Sequence, residues 1–320
     1  MIKPEDVVHA YRFILGREPE STDIVNRYAA QVPSLNALRD LFIGSGEFRE
    51  QFDDVHAPKR FRRGFHGSAM SVELDASPDQ LAALYAKTAA QWQFLGETEP
   101  YWSVITHENY LSDQFDKGRK DFYDSGESEG RMLDLALARH GIETQPEGRC
   151  LELGCGVGRV TGALAKRYRE VVGVDISAPH LDLARTELHD QGISNVQYEH
   201  LSSIEQTKAF GPIDLFYSKI VLQHNAPPVM TLLLKNLLDS LNLGGAGLFQ
   251  IPVYKAGYQF LIEPYLREQN HTNMEMHFYP QAKLFQLIEE ANCRVCEVYE
   301  DDAIGSAASM LSNTFLVQKR

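Results

Sequence analysis

Long apolar runs are missing from this chain. No uninterrupted stretch of its 320 residues approaches the ~18 apolar residues that would cross a bilayer, so no helical membrane span is expected. The first residues mix Lys3, Glu5, Asp6, Arg12, Arg17 and Glu18 among apolar neighbours, which is unlike a secretory leader. Cysteine is scarce. Four cysteines in a chain of this length suggest no disulfide framework, and a reducing cytoplasm is the expected setting. Cys293 and Cys296 make a C-x-x-C pair, but no second pair completes a zinc site, so they read as two half-buried thiols. Positive charge is also short: 31 Lys and Arg stand against 44 Asp and Glu, a net charge of −13. Such a chain repels phosphate backbones, so no nucleic-acid partner is expected. The richest basic run, Lys59, Arg60, Arg62 and Arg63, is short and reads as a solvated linker.

The residues present describe a globular protein, 43% apolar and 23% charged, long enough for more than one domain. Residues 1–55 read as a small helical module. Val7, Val8, Tyr11, Ile14 and Leu15 recur at helical spacing, Gly16 stands where a helix would stop, and Leu35, Leu38, Leu41 and Phe42 mark another helix. Residues 56–76, with Pro, Gly and Arg, read as a linker. Residues 77–147 form a helical lead-in and lid. Ser77-Pro-Asp-Gln80 is a capping box with Pro at the first helical position, and Met132–Leu137 continues a later helix. Between them, the polar, glycine-punctuated stretch Phe115–Gly126 is expected to be a surface loop or lid.

From residue 148 to 320 short apolar runs alternate with helices: Cys150–Leu153, Val171–Val174, Val196–Tyr198, Ile213–Tyr217 and Leu248–Ile251. This alternation predicts a doubly wound α/β domain with a mostly parallel sheet. The chain closes with a helix at Pro280–Ala291 and strands at Arg294–Tyr299 and Thr314–Gln318. With no helix between them, these last strands predict an antiparallel closure of a seven-stranded sheet.

The chemistry concentrates at Leu151-Glu-Leu-Gly-Cys-Gly-Val-Gly158. A strand running into three alternating glycines and then a helix leaves backbone N–H groups beside a ligand. The second strand ends in Asp175, where an acid can accept hydrogen bonds from ribose hydroxyls. A dinucleotide fingerprint would need glycine at Arg159. Glu152, two residues before the first glycine, suits a cationic ligand better than a pyrophosphate.

These motifs resemble the class I S-adenosylmethionine-dependent methyltransferases: Leu151–Arg159, then Val171-Val-Gly-Val-Asp-Ile-Ser177, Asp214-Leu-Phe-Tyr-Ser218 and Leu241–Phe249. The resemblance implies S-adenosylmethionine as cofactor. Glu152, Gly154, Gly156 and Gly158 would hold its methionine part, Asp175 its ribose, and Ile176 its adenine, with Arg159, Leu201, Ser202 and Ser218 as further cofactor contacts. The family often has an acid after the third strand to reach the adenine amine, whereas Ser202 stands there here. Metal-dependent members place Asp after the fourth strand, where this chain has Ser218-Lys219, so no metal is expected.

The acceptor side is read from less. His224, in the loop after the fourth strand, is the candidate general base for a hydroxyl acceptor. Tyr123 and, from the insertion at residues 252–279, Tyr254 and His277 are candidate substrate contacts. Met274-Glu-Met-His-Phe-Tyr-Pro280 resembles bacterial sugar and polysaccharide O-methyltransferases. Ala10–Pro19 and Gly44–Phe48 resemble a helical module distantly similar to phycobilisome linker domains and often appended to enzymes of surface-glycan assembly. The implied activity is methylation of a sugar hydroxyl or glycan precursor, with a protein partner for the N-terminal module. N-methylation of an amine and a catalytically silent cofactor-binding module stay open.

Overall fold

The structure, a computed structural model, describes residues 2–48, 68–143, 145–268, 274–305 and 309–320. The basic run Lys59–Arg63 and His271 lie outside the described residues. The chain divides into two compact units, the first ending near residue 62. The first contains α1 (Pro4–Ile14), α2 (Thr22–Gln31) and α3 (Leu35–Ile43). Ser21 and Ser34 cap α2 and α3 by accepting from the backbone N–H of Ile24 and Ala37. Val7, Tyr11, Val25, Leu38 and Phe42 form this unit's own core.

The second unit begins with β1 (Ser71–Val72), inside the stretch expected to be linker. Then come α4 (Pro78–Thr98), α5 (Pro100–Val104) and α6 (Phe115–Arg139). The α/β portion follows as β2 (Arg149–Leu153), α7 (Thr161–Ala165), β3 (Glu170–Asp175), α8 (Ala178–Asp190), β4 (Val196–His200), β5 (Ile213–Ser218), α9 (Pro227–Ser240) and β6 (Leu241–Lys255). After β7 (Gln259–Phe260) and α10 (Ile262–Arg267), the chain ends in α11 (Gln281–Glu290), β8 (Cys293–Asp301) and β9 (Met310–Lys319).

The main sheet has seven strands in the order β4-β3-β2-β5-β6-β9-β8. Pairings from β4 to β6 are parallel, and β9 runs antiparallel between β6 and β8. The doubly wound architecture with an antiparallel last strand is thus the observed fold. β1 pairs in parallel with β7, so the stretch before α4 is tied to the insertion after β6. Among the described residues no helix is long and apolar enough to cross a membrane.

One expectation is corrected. Phe115–Gly126 is not a loop but the first half of α6, a 25-residue helix. Gly118, Phe122, Gly126 and Gly130 recur every four residues and are all buried, so they share one face. The glycine at 126 is required by close approach: a Cβ there would lie 1.9 Å from the carbonyl oxygen of Arg159. Read locally, these glycines look like breakers. In the fold Gly126 lets α6 lie directly on the loop after β2, while Gly118 meets Asn109 and Tyr110 and Gly130 meets the Arg167 guanidinium.

Candidate active site

β2 delivers the chain into Gly154–Val160 at the carboxyl edge of the sheet, where this architecture binds ligands. Gly154 adopts φ +73°, and a Cβ there would sit 2.3 Å from a Val221 methyl. The loop is pinned from β3. The N–H groups of Gly154 and Cys155 donate to the Val174 carbonyl at 2.7 and 3.1 Å. Asp175 accepts from the backbone N–H of Gly156 at 2.8 Å and of Ser177 at 2.9 Å. The acid expected to meet a ribose therefore also fixes the glycine loop.

Glu152 is buried and accepts a 2.6 Å hydrogen bond from the Thr161 hydroxyl. Burial pushes its carboxyl up to about 8, against the opposing effects of Thr161 and the Arg159 charge. Arg159 donates through Nη1 to Ser125 Oγ at 3.0 Å, while its Nε is buried without a partner among the described residues. A carboxyl and a guanidinium with unused capacity, lining one cavity, are the donor set for an α-amino-acid end.

That cavity measures about 930 Å³ with its mouth included. Glu152, Gly154, Gly156, Arg159 and Asp175 line one side, and Ile176 and Leu201 line it near the ends of β3 and β4. Sequence reasoning missed the rest of the lining. Tyr85, Thr88 and Trp92 come from α4, Lys219 and Asn225 from the chain after β5, and His180 from α8. The signal was present in α4, where Leu81, Tyr85, Thr88 and Trp92 recur at helical spacing.

Several predicted residues lie elsewhere. Gly158 and Tyr123 border a separate groove between α6, α7 and α8, and the Tyr123 hydroxyl donates to the Val157 carbonyl at 3.3 Å. Ser202 is exposed and bonded to Gln206. Ser218 is fully buried, its hydroxyl has no partner among the described residues, and it does not line the cavity. Tyr254 donates to the Ser68 carbonyl at 2.9 Å, and His277 packs inside the insertion, 2.9 Å from the Tyr258 hydroxyl. Lys219 is paired with Glu129 at 2.7 Å. Among the described residues no group of three or more His, Cys, Asp or Glu could hold a metal ion.

His224 is also not placed as a base. It does not line the cavity, and its Nδ1 lies 2.9 Å from the Glu275 carbonyl, to which it donates. Gln223 Nε2 lies 3.3 Å from His224 Nε2, and the ring meets Trp92 edge-on. Burial pushes its pKa down to about 4. Both nitrogens are engaged, so the imidazole acts as packing.

Residues 150–245 match the family model described as a methyltransferase domain. The chain carries a class I S-adenosylmethionine-dependent methyltransferase domain. Its cofactor is S-adenosylmethionine, and the glycine loop, Asp175 and the Glu152–Arg159 end of the cavity fit that molecule. Among solved structures, the chain is similar to magnesium protoporphyrin IX methyltransferase from Synechocystis PCC 6803 with bound S-adenosylhomocysteine. The TM-score is 0.51 at 14% identity, covering 74% of this chain and 100% of that one, a likeness of fold.

Curated relatives include the tRNA/tmRNA (uracil-C(5))-methyltransferase of Pseudomonas syringae pv. syringae (strain B728a), 30% identical over 157 residues, 46% of this chain and 41% of that protein. Another is the 23S rRNA (uracil(1939)-C(5))-methyltransferase RlmD of Methylococcus capsulatus, 31% identical over 134 residues, 42% of this chain and 27% of that protein. The chain thus spans 41% and 27% of the length of these relatives. These matches correct two expectations. The expected sugar-hydroxyl acceptor, with His224 as its base, is overturned by relatives named for RNA methylation. So is the expected absence of a nucleic-acid partner. Net charge averages the whole surface, whereas recognition is local, so it does not exclude such a partner.

Proposed function

We propose that this chain transfers the methyl group of S-adenosylmethionine to a base of RNA. The observation that carries the reading is the single cavity in which the cofactor motifs face a wall from α4 and the turn after β5. The names of the curated relatives support RNA as the acceptor. The cofactor supplies an activated methyl on a sulfonium. Asp175 would hold its ribose, Glu152 its ammonium and Arg159 its carboxylate, while Ile176 and Leu201 would flank its adenine. The protein's work is to hold the nucleophile in line and exclude water.

The ring-carbon chemistry in the relatives' names is not carried over. A uracil carbon is a weak nucleophile until a second nucleophile adds to the ring. Cys155 is the one thiol lining the cavity among the described residues. It is buried, and burial raises its pKa well above the ordinary value. We therefore assign the methyl to a nitrogen or oxygen of the base. A cytoplasmic setting fits an RNA substrate and four unpaired thiols.

The test is transfer of labelled methyl to unmodified tRNA and rRNA transcripts, followed by digestion to nucleosides and mass analysis. A methylated base is expected. RNA that stays unlabelled, with protein that demonstrably binds S-adenosylhomocysteine, overturns the reading.

A further inference from the structure

Most polar side chains lining the cavity already have partners. The Tyr85 hydroxyl donates to the Leu201 carbonyl at 2.5 Å, and the Tyr217 hydroxyl and the Lys219 ammonium both donate to Glu129. His180 is held between the Ser177 and Ser103 hydroxyls at 2.7 and 2.9 Å. Glu152 and Asp175, the only acids in the lining among the described residues, are assigned to the amino-acid end and the ribose of the cofactor. Asn225 differs. It lines the cavity at 6% exposure, its Nδ2 donates to the Val221 carbonyl at 3.0 Å, and its Oδ1 accepts no hydrogen bond among the described residues. A buried amide that keeps one acceptor and one N–H at a cavity wall calls for a ligand edge with the opposite pair.

The cofactor has such an edge, since its adenine carries the 6-amino donor next to a ring nitrogen acceptor. Ser202, which follows Leu201, does not read that edge: it is exposed, bonded to Gln206 and outside the lining. We propose that Asn225 reads the adenine of the cofactor, Oδ1 accepting from the 6-amino group and the second Nδ2 hydrogen donating to the ring nitrogen beside it. The Val221 carbonyl sets the polarity of this reading. A free amide can turn over and match hypoxanthine, whose 6-oxo group and N1–H reverse the pattern. Here the turn would put Oδ1 against the Val221 carbonyl oxygen and lose the 3.0 Å bond. Val221 is itself seated on the glycine loop, where a Cβ at Gly154 would lie 2.3 Å from its methyl. The turn after β5 therefore selects the aminated purine, and it does so in register with the loop that holds the rest of the molecule.

The test is calorimetric binding to the full chain at one pH. The ligands are S-adenosylhomocysteine, its hypoxanthine counterpart S-inosylhomocysteine, and the purine counterpart that lacks the 6-amino group. The wild-type protein binds S-adenosylhomocysteine about tenfold or more tightly than either, the scale of one or two neutral hydrogen bonds. Asn225→Ala weakens S-adenosylhomocysteine by about tenfold and loses the preference over both counterparts. Asn225→Asp matches the side chain in size and still accepts from the amino group, so its preference over the amine-free purine survives. Ser202→Ala changes none of the three affinities.

Equal affinity of the wild-type protein for the three ligands overturns the assignment. Asn225→Ala weakening all three alike overturns it too, by making the amide a prop for the turn after β5. Loss of the preference in Ser202→Ala returns the reading to the end of β4. Where Asn225→Ala does not fold, Asn225→Asp decides, and a variant that no longer prefers S-adenosylhomocysteine to the amine-free purine overturns the assignment. No RNA enters these measurements, so their failure leaves the RNA reading standing.

Discussion

Glu152 makes cofactor binding a proton-coupled event whose size follows from its surroundings. Burial raises the carboxyl to about 8 in the ligand-free domain, whereas an exposed glutamate titrates near ~4.3. At pH 7 the group is therefore mostly protonated, yet the cofactor's ammonium needs the carboxylate. Ionising it weakens binding roughly tenfold at pH 7 and roughly a hundredfold at pH 6, one factor of ten for each pH unit below the raised value. Affinity for S-adenosylhomocysteine should rise about fifty-fold between pH 6 and pH 8, and binding at pH 7 should release close to one proton. Calorimetry in buffers of different ionisation enthalpy measures that release. 5′-Methylthioadenosine, which lacks the amino-acid end, should release none, and Glu152→Gln should abolish the pH dependence. The same shift acts on folding. The raised carboxyl adds stability that is complete below the unfolded value near ~4.3 and is lost as pH rises through about 8. A flat affinity profile, or equal proton release in Glu152→Gln, would refute the reasoning.

The remaining expectations are more local. Gly126→Ala places a methyl 1.9 Å from the Arg159 carbonyl. Urea unfolding should show a loss of about 1–3 kcal/mol from overpacking, and a gain in stability would remove the contact from the argument. His224 is neutral in the fold, with its pKa pushed down to about 4, so it contributes stability above pH ~6.5 that disappears as pH falls toward 4. His224→Ala should flatten that part of the stability profile without producing an activity step near pH 6.5, and such a step abolished by the variant would restore His224 as a base. Deleting residues 1–67 should leave S-adenosylhomocysteine affinity within a few-fold, because every residue lining the cavity lies in the second unit, and complete loss in a folded truncation would contradict this. In the groove beside the site Arg119, Lys120 and Lys166 are each paired with an acid. RNA binding should therefore depend only weakly on salt, with a log–log slope shallower than about −2, and a steep slope would require a basic surface elsewhere, such as Lys59–Arg63.

The cofactor side was legible because local chain geometry builds it. A strand, three alternating glycines, a helix and an acid at the end of the next strand lie within a short span, and the backbone alone brings them together. The seven-stranded sheet was legible for a related reason, since each strand announces itself as an apolar run between helices. What failed was reading outward from composition. Phe115–Gly126 has the glycines of a loop, yet they lie in a helix, where Gly126 meets the Arg159 carbonyl and Gly118 meets Asn109. Nothing within that segment indicates which surface will come so close.

The rest of the cavity lining was hidden for a deeper physical reason. Its residues come from α4, from the turn after β5 and from α8, segments far apart in the chain that meet only once the sheet has formed. His224 attracted attention because an imidazole in that turn has the right chemistry, and its chemistry is then cancelled by the Glu275 carbonyl and by burial. Asn225, one residue later, has no acid–base chemistry and drew none, yet its amide keeps an unused acceptor at the cavity wall. In a displacement at a sulfonium, alignment matters more than proton transfer. A residue that orients a ring edge is then worth as much as a base, and such residues are recognised by what their unused hydrogen-bonding groups face, which only the fold determines.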